Sequence, residues 1–216
     1  MKRVVCFGAG GHAKVVLDAL ALAFPAEEVE VAGLVAPSAS TGPSLGYPHL
    51  GSDAALATIV AQRQLTHFIV GIGSVRGGGT LRPKLFELAL DAGLTPLTVI
   101  HPSATVARSA SIGLGSVILA GAVVQPGVQL DSNVIVNTRA SIDHDSRVGK
   151  HTHIAPGVTC SGNVSIGENS HIGTAATIIE GIAIGHAATI GAGAVVVRNC
   201  PDNATVYGVP AREKDA

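Results

Sequence analysis

Three stretches of this 216-residue chain carry groups that could do chemistry. The first is Asp143-His144-Asp145, an imidazole between two carboxylates. Either acid could hold one ring nitrogen, fix the tautomer and leave the other nitrogen as a general base. The second is Ser161-Gly162-Asn163, with Gly162 three steps of six along the chain from His144. A residue without a side chain leaves its backbone N–H open to a developing negative charge. The third is Gly8-Ala9-Gly10-Gly11-His12-Ala13, between the apolar run Val4-Val5-Cys6-Phe7 and a helical stretch from Lys14 to Ala23. It fits the G-x-G-x-x-A form of the dinucleotide fingerprint, whose glycines bring backbone close to a phosphate at a helix N-terminus. That fingerprint also wants an acidic residue closing the next strand. Here the strand ends Leu34-Val35-Ala36-Pro37-Ser38, with no carboxylate. The pattern argues against an NAD enzyme and leaves a diphosphate-containing ligand, or a purely structural glycine turn.

The elements that must position these groups follow from a repeat, which is the first thing to seek along any chain. Stepping by six from Ile100 meets Val106, Ile112, Ile118 and so on to Val196, and sixteen of the seventeen residues are Ile, Val or Leu. Cys160 is the exception. The fifth position of each hexad is small or modest in size at all but Ile182. Positions 5 and 1 are two residues apart, so on an extended strand they point to one side and position 6 to the other. Positions 2 to 4 must bend. They hold Gly or Asn repeatedly, the residues that tolerate a left-handed backbone. Short strand, bend, short strand is a solenoid with flat faces. His144 and Gly162 both fall at position 3, the apex of a bend.

Residues 1–98 read differently. Strands over Val4–Phe7, Val29–Val35 and His67–Gly71 alternate with helices over 14–23 and 81–92, which predicts a small parallel sheet with helices on its faces.

The hexads resemble the hexapeptide-repeat superfamily, a resemblance that implies a left-handed parallel β-helix of triangular section, three hexads to a coil. A coil of that length stacks Gly162 directly on His144, about 5 Å away. An α/β Rossmann-like domain (1–98) followed by such a helix (99–216) further resembles the bacterial acetyltransferases that modify amino-sugar nucleotides or sialic acid. GAGGHAKVV (8–16), IHPSA (100–104), NTRASIDHD (137–145), HIAPGVTCSGNVSIG (153–167), IGAGAVV (190–196) and GVPAR (208–212) carry it. The resemblance implies acetyl-CoA as co-substrate and a homotrimer with active sites between subunits. His144 would be the catalytic base, Asp145 its acidic partner and Gly162 the oxyanion donor. Gly10, Gly11, His12, Asn137 and His153 would meet an amino-sugar nucleotide. His153, Gly173, Thr174, Gly191, Ala192 and Arg198 would line the acetyl-CoA groove. His153 and His171, both at position 6, share an outward row with Ile135, Val117 and Val99. An outward aliphatic row is expected to face a partner.

Composition narrows the alternatives. Charged residues are 13%, aromatics 3% and the net charge is −1, so nothing supplies the basic surface or stacking rings of a nucleic-acid binder. No apolar run approaches the ~18 residues of a membrane span, and the four apolar residues after Met1-Lys2-Arg3 are too few for a secretory leader. Cys6, Cys160 and Cys200 form no CxxC pair, so a reducing cytoplasm without a metal site is expected. A γ-carbonic-anhydrase-like reading lacks the HxxxxH pair that it needs. An inactive binding scaffold and an O-acetyltransferase for sialic acid stay as alternatives. Ser38 to Gly46 and the Gly-rich 73–79 depart from the family pattern, so UDP, GDP and dTDP are not separated by sequence.

Overall fold

The computed structural model describes residues 1–37, 46–74 and 79–213. Most of the two departing loops, 38–45 and 75–78, lies outside the described residues. The chain divides into two compact units, Met1–Gly73 with Leu81–Pro102, and Ser103 onward with Ser74.

In the first unit the strands are β1 (Lys2–Phe7), β2 (Val29–Val35), β3 (His49–Gly51), β4 (His67–Val70) and β5 (Thr95–Pro96). They form one sheet in the order β3-β2-β1-β4-β5, and every pairing is parallel. Val4, Val5, Cys6 and Phe7 are wholly buried, as expected for a central parallel strand covered on both faces. Phe68 packs edge-on to Phe7 and Phe86, with ring centroids 6.0 and 5.2 Å apart. The helices are α1 (Gly11–Ala23), α2 (Leu56–Arg63) and α3 (Leu81–Asp91). Helix α1 starts three residues before Lys14, because Gly10 takes the extended N-cap conformation and Gly11 is already helical. The sequence did not reveal α2, whose Thr58-Ile59-Val60 reads equally as strand. Its end is set by Gln64, in the left-handed region at φ 51°.

In the second unit two-residue strands pair with strands three hexads away, as in Val123↔Ser141 and Ser141↔Thr159. The strands make up three sheets, the three faces of the solenoid, parallel except where Arg212–Glu213 pairs antiparallel with Thr205–Tyr207. Position 1 forms inward columns such as Ile154, Ile172 and Ile190, each fully buried, and position 5 fills the space beside them with Ala140, Val158 and Ala176. The bends divide the work of glycine in a way that spacing alone hid. Position 4 is left-handed, and Arg139, Asp145, His151, Ala175 and Ala187 adopt that conformation alongside Gly and Asn. Position 2 is not. Gly173 is required there because a Cβ would stand 2.6 Å from the Ile190 carbonyl of the next coil.

Two expectations change. The last coil is two residues short: Ile184 pairs with Cys200, and Thr189 with Thr205. Cys200 therefore stacks on an inward position-1 residue, not in the fifth-position slot. The outward row is not an open apolar strip either. Val117 and Ile135 are 2% and 0% exposed in the single chain, so their burial gives no sign of a partner face. Among the described residues no helix is long and apolar enough to cross a membrane.

Candidate active site

The bend after Ser141–Ile142 presents His144 at its apex, and hydrogen bonds within the bend fix the ring. The His144 backbone N–H donates to Asp143 Oδ1 at 2.9 Å, so Asp143 shapes the turn. His144 Nδ1 lies 3.0 Å from Asp145 Oδ2, so Asp145 is the acid that orients the imidazole. With Nδ1–H donating to a carboxylate, Nε2 carries the lone pair. The Asp145 hydrogen bond, followed by the charges of Asp143, Asp145 and Glu180, holds the His144 pKa above its ordinary value. That makes a stronger base. The ring stands at the surface, half exposed.

One coil on, Gly162 lies against this ring. A Cβ built on Gly162 would stand 2.5 Å from Nε2 and 2.6 Å from Cε1. The Gly162 carbonyl accepts from Gly181 N–H at 3.1 Å, while its own N–H stays out of the backbone ladder. The imidazole therefore packs directly on the Gly162 backbone, in the place that a side chain at residue 162 would take. One coil below, Gly127 does a similar service for the acid: a Cβ there would collide with Asp145 Oδ1. Gly127 is also left-handed, at φ 76°. Gly127→Ala is expected to cost about 1–2 kcal/mol from backbone strain and to lower kcat about tenfold by displacing the orienting carboxylate. Urea unfolding and steady-state kinetics on one preparation check both effects.

His153 is placed elsewhere, on a face rather than at this corner. Its Nδ1–H donates to the Ser74 carbonyl at 2.7 Å, and Nε2 accepts from Asn137 Nδ2 at 3.1 Å. The Asn137 Oδ1 accepts from Thr138 N–H at 2.8 Å, which fixes the amide's orientation. His171 packs edge-on to His153 with centroids 5.1 Å apart, and burial lowers its pKa. Asn137, His153 and His171 are thus brought together, and Ser74 joins them from far off in sequence.

Gly173-Thr174 and Gly191-Ala192 stack on one another at a different corner from His144. Coil packing accounts for both glycines, since a Cβ on Gly191 would stand 2.7 Å from Tyr207 Cβ. Arg198 does lie on the His144 corner. Pro126, His144, Gly162 and Glu180 form a single apex column, and Arg198 lies in the shortened bend that follows Val195–Val196 at the same corner, three coils or about 14 Å beyond the base. Arg198 and Arg212 both line an open cleft at that end of the solenoid. Cys160 is inward and its thiol is pushed up to about 12 by burial, which makes it no nucleophile.

In the first unit Gly8 follows β1 with φ 107°, and a Cβ there would meet Ile72 at 2.8 Å. Gly10 and Gly11 have open space where a side chain would be, and α1 carries no side-chain cap. Packing does not explain these two glycines, which open the N-terminus of α1 to solvent. His12 is driven down to about 4 by burial and then by the charge of Arg82, so it is neutral near pH 7. Arg82 is buried and donates to the Ile72 carbonyl at 2.7 Å. An apolar cleft opens at the carboxyl ends of β1, β2 and β4, the crevice where doubly wound sheets bind ligands. Phe7, Gly8, Val35, Pro37, Asp53 and Ile72 are among its walls. Asp53 is the one acidic residue among the described residues that wall that cleft. Sequence reasoning missed Asp53, Arg82 and Ser74, none of which sits in a recognisable spacing. It could have found Gly127 and Glu180, each three hexads from a residue already singled out. Among the described residues no group of three His, Cys, Asp or Glu side chains could hold a metal ion.

Comparison with known proteins adds independent findings. Residues 3–77 match the family model of the PglD N-terminal domain. The acetyltransferase domain of PglB from Neisseria gonorrhoeae is 37% identical, with a TM-score of 0.89 over 99% of this chain and 100% of that one. PerB from Caulobacter crescentus, solved with CoA and GDP-perosamine, is 37% identical with a TM-score of 0.88 over 100% and 98%. That enzyme has also been solved with one histidine replaced by asparagine or alanine, bound to the same two ligands. A GDP-perosamine N-acetyltransferase of Escherichia coli O157:H7 is 34% identical over 92 residues, 40% of this chain and 39% of that protein. The match spans well under half the length of this curated relative.

Proposed function

We propose, for a chain that belongs to the hexapeptide-repeat sugar acetyltransferase family, that it transfers the acetyl group of acetyl-CoA to the amine of a nucleotide-linked amino sugar. The observation that carries this reading is the close approach of His144 Nε2 to the side-chain-free backbone of Gly162, with Asp145 behind the ring. The sugar amine attacks the thioester carbon, and His144 Nε2 takes the amine's proton as the C–N bond forms. Asp145 stabilises the resulting imidazolium. The Gly162 N–H receives the oxyanion. When the tetrahedral centre collapses, the C–S bond breaks and the imidazolium returns its proton to the departing CoA thiolate. The enzyme ends as it began, with no covalent intermediate.

The first domain, residues 1–98, would hold the nucleotide: the diphosphate over Gly10, Gly11 and His12, the base in the apolar cleft. The second, 99–216, would hold acetyl-CoA along the apex column, with Arg198 meeting its phosphates. Three coil rises separate the base from Arg198, a span that an extended pantetheine arm covers. His144 is half exposed at an open corner, while His153, Asn137 and Gly173-Thr174 lie on another face and corner. Only a second copy can bring those groups to His144, which supports a homotrimer with shared sites. Three free, buried cysteines suit a reducing cytoplasm, where acetyl-CoA is made.

A panel of GDP-, UDP- and dTDP-linked amino sugars, and sialic acid, each with acetyl-CoA, tests the reading by release of the CoA thiol. Turnover of sialic acid alone would overturn it in favour of O-acetylation. The pH profile gives a second check. His144 must be neutral to act, so kcat/KM should rise with pH through a pKa above the ordinary histidine value of about 6.5. Asp145→Asn removes the charge that raises it, so the acid limb should move to lower pH and the plateau should fall. An unmoved limb would mean that His144 is not the titrating base.

A further inference from the structure

The donor side of the proposed site rests on one peptide, and a buried hydroxyl holds it. Ser146 is wholly buried at position 5 of the His144 bend. Its hydroxyl lies 3.2 Å from the Ser161 carbonyl and 3.5 Å from that of His144, and its oxygen accepts from Val164 N–H at 3.1 Å. The Ser161 carbonyl and the Gly162 N–H belong to the same planar peptide. A hydrogen bond on the carbonyl oxygen therefore sets the direction of the N–H on the opposite side. It also polarises that N–H toward donation. We propose that Ser146 is a positioning residue for the reaction, orienting the Ser161–Gly162 peptide so that its N–H meets the thioester oxygen. The proposal rests on the reading of Gly162 as oxyanion donor.

The same device occurs elsewhere in the solenoid, and its distribution separates a general brace from a special one. Ser116, Thr152 and Ser170 each donate to a carbonyl of the next coil, at 2.9, 2.8 and 2.9 Å, and accept from an N–H of that coil. All three belong to the corner that follows the strands in register with Ser111–Ile112. At the His144 corner, position 5 reads Ala110, Val128, Ser146, Val164 and Ile182. Its single hydroxyl sits on the coil that bears the base, beneath the peptide that bears the donor. No backbone N–H among the described residues donates to the Ser161 carbonyl.

Ser146→Ala and Ser116→Ala remove equivalent braces, one at the site and one far from it. Both should lower the thermal midpoint by similar amounts. Ser146→Ala should lower kcat about tenfold with KM for both substrates unchanged, measured with the best acceptor of the panel above. Ser116→Ala should keep kcat within twofold of the parent enzyme. Ser146→Thr should restore the rate to within threefold, since Thr152 makes the same pair of bonds. Equal rates in the two alanine variants, or a change in KM alone, would overturn the proposal. So would a threonine enzyme as slow as the alanine one. His144→Ala run in parallel keeps the two ideas apart: if it retains its rate, the reading of the site fails, whatever Ser146 does.

Discussion

His144→Ala should lower kcat by about a thousandfold, the middle of the range for removing a positioned general base. Nucleotide-sugar affinity should hardly change. The base stands at an exposed corner of the second unit, and its loss leaves the Gly10-Gly11 turn and the apolar cleft of the first unit untouched. The variant should also fold as the parent does, because an exposed apex side chain contributes no core. Steady-state kinetics and calorimetric titration of the nucleotide sugar together check this. A rate within tenfold of the parent would remove His144 from the mechanism. A lost nucleotide affinity with unchanged kcat would make it a binding residue instead.

The second large effect comes from a single methyl. Gly162→Ala keeps the backbone N–H, so any loss reports on the space around it. The added Cβ would lie 2.5 Å from Nε2, closer than any real contact, and the ring or the bend must move. Whichever moves, base and donor lose their mutual placement. A kcat loss of about a hundredfold is expected, comparable to deleting an oxyanion donor. Stability should change little, since Gly162 is not left-handed and the added group meets the end of a surface side chain. Gly173→Ala is the internal contrast. Its Cβ would meet the Ile190 carbonyl and the Ala192 nitrogen, at 2.6 and 2.7 Å, which is backbone that cannot yield. That variant should lose stability first. If Gly162→Ala unfolds at a much lower temperature than the parent, Gly162 serves coil packing and the donor assignment falls.

Ser146 would extend this arrangement one step further from the chemistry. Base, acid and donor then rest on two adjacent bends, and each is fixed by a neighbour on the adjoining coil: Gly127 under Asp145, Gly162 over His144, Ser146 under the Ser161–Gly162 peptide. Mutations at these supports should move kcat more than KM, because they misplace reacting groups without touching the binding clefts.

Much of this could be read before any fold was seen, for a reason specific to solenoids. When every strand pairs with the strand one coil on, spacing along the chain becomes distance in space. The inward columns follow from counting, and the stacking of Gly162 on His144 follows once three hexads make a coil; that position 4 and not position 2 is left-handed does not. The short central strands of the first unit were legible too, as fully apolar runs. Helix α2 was not, since Thr58-Ile59-Val60 carries no periodicity that separates helix from strand.

Contacts that break the period were beyond the reach of spacing. Asp143 and Asp145 are equivalent in sequence, and the left-handed turn at Asp145 chooses between them by sending one carboxylate to the ring and the other to the backbone. Ser74 reaches His153 across 79 residues, a separation that no repeat encodes. The outward aliphatic row is buried in one chain, and the final coil closes two residues early. The repeating frame was legible from spacing alone, because the same short strand and bend recur from coil to coil until the last. Rotamers, long-range contacts and the end of the repeat were settled by packing, which depends on neighbours that the period does not name.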